Sequence, residues 1–450
     1  MKKDLRRFVP STKPLTLKEI ILYNLAGFSF NIYDTILYAW VMYFYITATT
    51  GHAQYITTML VGVILFGGRI LDALTDPFIG YMSDRTKTRW GRRKPYMFIS
   101  YPILFISFVL VWTPPVNGTH IYNALYLGAV LFFYYWSYTG VLIPWFAMLP
   151  EMSRDNQERV KIASIGVAIG VFAALLAGGI APILYQKTGA FMMALVFGLV
   201  GFIVGEFGLF GTRERYRPDL EEETPGFFTA MKATFQDRQV LSFAIMIMLV
   251  QLTYQLMLMI VPFLTTLVLG LEEGMSSIIL GEVIFLMGAV VPLWFYLLSK
   301  FPKRNVFRGI IVTMIVGFVG CYFIGEYPFG SPLVQAMLII PIAAIPIGGM
   351  FTAVLGIISD LTDLGELKTG KRREAIYFGI YGIVRKFGWA FSSIILTGVF
   401  TIFDPSGKPT VFGVRVVWLM CAAVCLLGLL AFIPYKLGDT KEETKKIMGL

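Results

Sequence analysis

Residues 69–95 read RILDALTDPFIGYMSDRTKTRWGRRKP. The stretch begins in apolar sequence and ends in a burst of positive charge. It sets Asp72 and Asp76 four residues apart where the surroundings suit lipid. A carboxylate at mid-bilayer costs about 2.5–3.5 kcal/mol on insertion scales, so two of them, one turn after Arg69, need a reason. On a helix turning about 100° per residue, Arg69, Asp72 and Asp76 share one stripe with Thr75 beside it. Asp72 lies about ten residues from the basic end, roughly 15 Å deep, close to the plane where desolvation costs most. Such a stripe must face a bundle interior or a water-filled cavity. An ion pair of Arg69 with one aspartate, serving only helix packing, leaves the second carboxylate over. The alternative is a cation site, with hard oxygen ligands for sodium or carboxylates that trade a proton.

The rest of the chain has the same character. Its 450 residues are 56% hydrophobic and 15% charged, with a mean hydropathy of +0.70, whereas soluble domains are about a quarter charged. Runs long enough for the roughly 20 residues of a membrane crossing number twelve. They fall at 20–47, 54–82, 95–112, 121–147, 162–186, 190–210, 241–269, 276–299, 307–324, 333–359, 375–402 and 413–434. The fold class expected is an all-α membrane protein of twelve transmembrane helices. An even count puts both termini on one side. That side carries 32 of the 38 Lys and Arg residues and the other side three (Lys187, Lys408, Arg415), with Arg69, Arg385 and Lys386 inside spans. By the positive-inside rule the termini are cytoplasmic, as in a multi-pass inner-membrane protein. The net charge of +10 is therefore topological, and the partner it implies is the lipid bilayer rather than nucleic acid. The apolar run from Ile20 is too long for a signal-peptide core and is expected to be retained.

The longest connection on the basic side, 211–240, holds Glu221, Glu222 and Glu223 and a short surface helix, FFTAMKATF. It divides the chain into six-span bundles at 1–210 and 241–450, with 211–240 as linker; a monomer is expected. Cys321, Cys421 and Cys425 all fall in apolar stretches and read as packing residues. The sequon Asn117-Gly118-Thr119 carries little weight, being common by chance.

Other spans also carry residues foreign to lipid. Asn31 and Asp34 are three apart and share a face of the first span. Arg385 and Lys386 are adjacent in the eleventh, so only one comfortably faces a given cavity. Glu206 and Glu282 receive no role. Pro144 in span four, and Pro341, Pro346, Gly348 and Gly349 in span ten, are expected to break those helices and free carbonyls. Tyr138, Trp145, Phe146, Phe351, Tyr377, Tyr381 and Trp389 could stack on a sugar ring or an apolar ligand, although aromatics at such spacing more often pack. An enzyme is not expected: His52 and His120 are the two histidines, and no nucleophile elbow or P-loop occurs. A channel is the remaining rival class, and lone intramembrane carboxylates without a filter motif disfavour it.

The opening stretch, together with DLTDLGELKTGKRREAIYFGIYGIVRKFGWAF at 360–391, resembles the glycoside-pentoside-hexuronide:cation symporters, the melibiose-carrier group of the major facilitator superfamily. The resemblance covers both long blocks and the twelve-span length. It implies two six-helix bundles that alternate access and import a sugar with Na+, H+ or Li+, with no cofactor beyond that coupling ion. Asp72 and Asp76 match the family's paired cation carboxylates, which hold the Na+ if the coupling ion is sodium. Thr75 matches a further polar ligand, Arg69 the preceding arginine, and Lys386 the eleventh-span lysine. The segments from Arg85 to Lys94 and from Asp360 to Glu374 match gating loops. Candidate cation ligands are then Asp72, Asp76, Asn31 and Thr75. Candidates for substrate binding or coupling are Asp34, Arg69, Lys386, Arg385, Tyr138, Phe146, Phe351 and Tyr381. Departures concern the sugar. Asn31 and Leu142 stand where the melibiose carrier has sugar-binding aspartates, and ASIGVAIGVF (163–172) lacks its arginine. Melibiose is therefore not expected. The substrate is a different glycoside or related sugar, or an amphiphile such as the lysophospholipid carried by distant relatives.

Overall fold

The computed structural model describes residues 15–47, 53–86, 88, 90–153, 156–212, 234–370 and 374–449. Helices form where apolar runs are long and where a side chain satisfies the first free amides. Thr16 starts α1 (Leu17–Ile46) through a capping box with Glu19. There follow α2 (Thr58–Arg85), α3 (Lys94–Leu110), α4 (Ile121–Met152) and the long α5 (Asn156–Gly211). Next come α6 (Arg238–Phe263), which runs into a π-turn at Leu264–Val268, α7 (Ser276–Ala289), α8 (Val291–Lys300) and α9 (Lys303–Tyr322). The last four are α10 (Pro332–Thr369), α11 (Glu374–Phe403), α12 (Val411–Ala431) and the short α13 (Lys441–Met448).

The spans largely coincide with these helices. Among the described residues, ten stretches are long and apolar enough to cross a membrane. One of them, Lys161–Gly211, is long enough to cross twice. Gly189, at φ 85°, divides α5 into two limbs there; this is a left-handed backbone that glycine adopts without a Cβ penalty. Lys94–Leu110, at 17 residues, is a shorter apolar helix, and with it the crossings number twelve. The eighth span is two helices, interrupted at Val290 ahead of Pro292, which lacks the amide to continue the ladder. The expected breaks in spans four and ten are corrected. Both α4 and α10 run through their prolines as continuous helices. In α10 the glycines serve close packing instead: Gly349 takes the Trp294 ring against its backbone, and Trp294 donates its indole N–H to the Ile345 carbonyl at 3.1 Å. Residues 227–233 of the surface helix FFTAMKATF, with most of the linker, lie outside the described residues.

The chain forms two compact units, one of Met1–Leu60 with Gly67–Glu223 and one of Val61–Phe66 with Thr224–Leu450. In the first, α1 lies along the second limb of α5, whose glycines admit neighbouring rings. Tyr33 sits on Gly201 and Tyr101 of α3 on Gly205. Tyr33 also donates to the Gly198 carbonyl at 2.8 Å. Two reciprocal bonds tie α1 to α4: Tyr23 to the Trp145 carbonyl (3.0 Å) and the Trp145 indole to the Tyr23 carbonyl (2.9 Å). In the second unit, Gly317 of α9 meets the Ala343 backbone of α10, and Gly388 of α11 meets the Met248 carbonyl of α6. Ser242 donates to the Ala431 carbonyl at 2.6 Å. All three cysteines are buried and unbridged, as packing residues are. At one end of this unit Lys303 binds Asp360 (2.5 Å) and, through its backbone amide, Asp439 (3.0 Å), while Lys441 pairs with Glu366 (2.9 Å).

Candidate functional site

The stripe read from α2 faces the interior of the first unit. Asp72 is fully buried and Arg69 nearly so, and their ion pair is 2.8 Å long. The i, i+3 spacing that put them on one face makes this contact. The guanidinium also lies 4.1 Å from the centre of the Tyr38 ring of α1 and 5.1 Å from that of Tyr135 of α4. A weakly hydrated, planar cation can occupy such an aromatic cage where an ammonium would lose more solvation. On its far side Asp34 of α1 approaches Arg69 to 4.0 Å and accepts a 2.7 Å hydrogen bond from the Tyr138 hydroxyl of α4.

A residue that sequence reasoning missed sits at the centre of this cluster. Thr139 Oγ1 is 2.9 Å from Asp72 Oδ1, 3.4 Å from Asp76 Oδ1 and 3.2 Å from Thr75 Oγ1. Thr75 in turn donates to the Asp72 carbonyl at 3.1 Å. Two carboxylate oxygens thus flank one hydroxyl, and Asp72, Asp76, Thr75 and Thr139 converge as an all-oxygen donor set. Oxygen donors of this kind suit a hard cation such as Na+ or a shared proton. Thr139 lies in YYWSYTGV, where a hydroxyl in an aromatic helix reads as ordinary; adjacency to Tyr138 was the available signal.

Asn31 lies on α1 three residues before Asp34. Its amide makes one hydrogen bond, to the Gly27 carbonyl of its own helix (2.8 Å), and it packs against Gly170 of α5. Phe146 is half exposed and stacks on Trp145 with ring centres 4.8 Å apart, two turns from Thr139.

The second unit collects the remaining candidates. Arg385 lies over Trp389 (4.6 Å) and Tyr381 (5.6 Å). Buried Gln251 of α6 joins both rings, accepting from the Trp389 indole at 3.2 Å and reaching the Tyr381 hydroxyl at 3.5 Å. Phe351 of α10 meets Tyr254 of α6 edge-on at 5.3 Å. Lys386 is buried, at 3% exposure, about 100° around α11 from Arg385. Gln251 was not among the site candidates, whereas Trp389 was one of the aromatics read as able to stack on a ligand. The pair Gln251 and Gln255, four apart in an otherwise apolar helix, was the signal for the first.

Residues 22–437 match the family described as MFS/sugar transport protein. The chain belongs to that family. Its members are transporters, so this chain is a multi-pass membrane transporter and not an enzyme. It is 25% identical to an isoprimeverose transporter of Lactiplantibacillus pentosus, over 84% of this chain and 80% of the relative. It is 24% identical to the sodium-dependent lysophosphatidylcholine symporter 1 of Gallus gallus, over 85% of this chain and 80% of that protein. The crystal structure of a D-xylose-proton symporter superposes with a TM-score of 0.70 at 15% identity, covering 94% of this chain and 98% of the other. That likeness establishes the major facilitator fold.

Proposed function

We propose that the protein is a cation-coupled symporter of a glycoside or related sugar. Two halves, 1–210 and 241–450 joined by 211–240, expose the substrate alternately to either side of the membrane. The observation that carries this reading is the oxygen cluster, in which one buried threonine hydroxyl touches both α2 carboxylates, fully buried Asp72 and partly buried Asp76. Na+ or H+ binds Asp72 and Asp76 with Thr75 and Thr139, and relieves the mutual repulsion of acids held away from water. Arg69 fixes Asp72 and Asp34 in place. Lys386 takes the role of a resident charge that competes with the arriving cation. In the second half, Arg385, Trp389, Tyr381 and Gln251 offer a flat aromatic face with polar edges, suited to a sugar ring, and Phe351 flanks them; Tyr138 and Asp34 offer hydroxyl partners in the first. Both termini are cytoplasmic, by the charge of the connecting loops, and the working unit is a monomer.

The relation to a lysophosphatidylcholine symporter, with Leu142 and an uncharged 163–172 stretch in place of sugar-binding charges, favours one second reading, an amphiphilic substrate. Thermal stabilisation of the purified protein distinguishes the two. A ligand at 100 times its dissociation constant adds about 2.7 kcal/mol to the folded state. Sugars that stabilise more in Na+ than in its absence support sodium-coupled sugar transport, and lysolipids that do so support the alternative. Saturable, gradient-driven accumulation and counterflow in proteoliposomes separate either carrier from a channel. Absence of both would overturn the symporter.

A further inference from the structure

The first unit buries an acid that the α2 cluster does not use. Glu206 stands in the second limb of α5 and is 9% exposed. Neither of its carboxyl oxygens has a hydrogen-bond partner, and among the described residues no salt bridge reaches it. Its titratable neighbour is Tyr101 of α3, fully buried, whose ring rests on Gly205 and whose hydroxyl also lacks a partner. Tyr33 of α1 lies one turn further along the same glycine edge and already donates its hydroxyl to the Gly198 carbonyl. An ionised carboxylate in a membrane-spanning helix, with neither cation nor donor bonded to it, is too costly to persist; such a group keeps its proton instead.

A route to that proton lies beside it. Trp90, Lys94, Phe98, Leu209 and Phe210 line a cavity of about 300 Å³ at the end of the bundle that carries the basic segment 85–94. Phe210 is four residues from Glu206 and Phe98 three from Tyr101, so the cavity stops about one helical turn short of the pair. Its volume exceeds that of several waters at about 30 Å³ each, and Lys94 supplies the charged group in an otherwise largely apolar lining.

We propose that Glu206 and Tyr101 form a proton-holding site, separate from the α2 carboxylates. Glu206 carries a proton in the resting protein and exchanges it through this cavity with the aqueous phase on the basic side. On release, the carboxyl O–H bond breaks, a water molecule takes the proton and carries it to the cavity one turn away, and the carboxylate left behind accepts a hydrogen bond from the Tyr101 hydroxyl. The site therefore adds a titration to the transport cycle whatever ion occupies Asp72 and Asp76.

Infrared spectroscopy of the purified full chain at neutral pH reads this directly, without reliance on transport. The difference between wild type and Glu206→Gln is expected to contain the carbonyl band of a protonated carboxylic acid, and that band shifts in D2O. A carboxylate band in its place overturns the proposal, and an acid band that D2O leaves unmoved overturns the route through the cavity. Should Glu206→Gln fail to fold, Tyr101→Phe serves. An acid band displaced from its wild-type position supports the pairing, and an unchanged spectrum refutes it. In uptake measured against pH, Glu206→Gln is expected to lose one titration step. A profile identical to wild type refutes any part for the site in the cycle.

Discussion

The two units stabilise charge among apolar helices in different ways. In the first, Arg69 lies against the Tyr38 and Tyr135 rings and also meets acids: Asp72 at 2.8 Å, Asp34 at 4.0 Å, with Thr139 bridging onward to Asp76. In the second, Arg385 meets rings, Trp389 and Tyr381, which Gln251 holds in place. Breaking an ion pair withdrawn from water costs about 3–5 kcal/mol, because removing one partner strands the other. A cation on aromatic faces is worth about 0.5–2 kcal/mol and tolerates change. The first arrangement suits a site whose occupancy must be felt elsewhere. The second suits a surface that adapts to a neutral ligand.

Substitutions can break that contrast or sharpen it. Asp72→Asn should have the largest effect. It strands buried Arg69, costs about 3–5 kcal/mol of stability, and abolishes gradient-driven accumulation, read by melting temperature and proteoliposome uptake. Asp76→Asn should abolish accumulation equally but with a smaller loss of melting temperature, since it is Asp72 that bears the 2.8 Å bond to Arg69. If both variants concentrate substrate as wild type does, the cation site is not there. Thr139→Val comes next. Loss of a hydroxyl that donates to carboxylates costs about 1.5–3 kcal/mol, expected as an ion requirement raised on the order of ten-fold or more, and Thr139→Ser should restore it. Arg385→Met should weaken substrate binding by about 0.5–2 kcal/mol while the ion dependence stays put; a changed ion dependence would erase the distinction between the units. Asn31→Ala should do least, about 0.5–1.5 kcal/mol of stability for one neutral hydrogen bond, with ion affinity unaltered. A ten-fold loss of ion affinity on that change would return Asn31 to the cation site.

Sequence made the helices legible because membrane spans follow from length and hydropathy, and it made the α2 stripe legible because charge is so costly in lipid. It left Thr139 unseen. Threonine is cheap in an apolar helix, and what distinguishes this one is the approach of α4 to α2, a tertiary fact. At Asn31 the sequence left two readings, a site ligand or an ordinary helix hydrogen bond, and its amide bonds a carbonyl four residues back in its own helix. Prolines 144, 341 and 346 suggested breaks, yet packed neighbours hold those helices continuous, whereas Gly189 and Val290 mark the real interruptions.

The threonine at the meeting point of α2 and α4 has a single hydrogen and three neighbours able to take it: Asp72, Asp76 and Thr75. It can point that hydrogen at only one of them at a time. Whichever acid goes without turns to other partners, and a visiting ion relaxes the contest by letting the oxygen offer a lone pair instead. At the proposed cation site, loading would thus reorient one hydroxyl by rotation about a C–O bond, a change small enough to be fast and, inside a low-dielectric bundle, large enough in field to be felt several residues away.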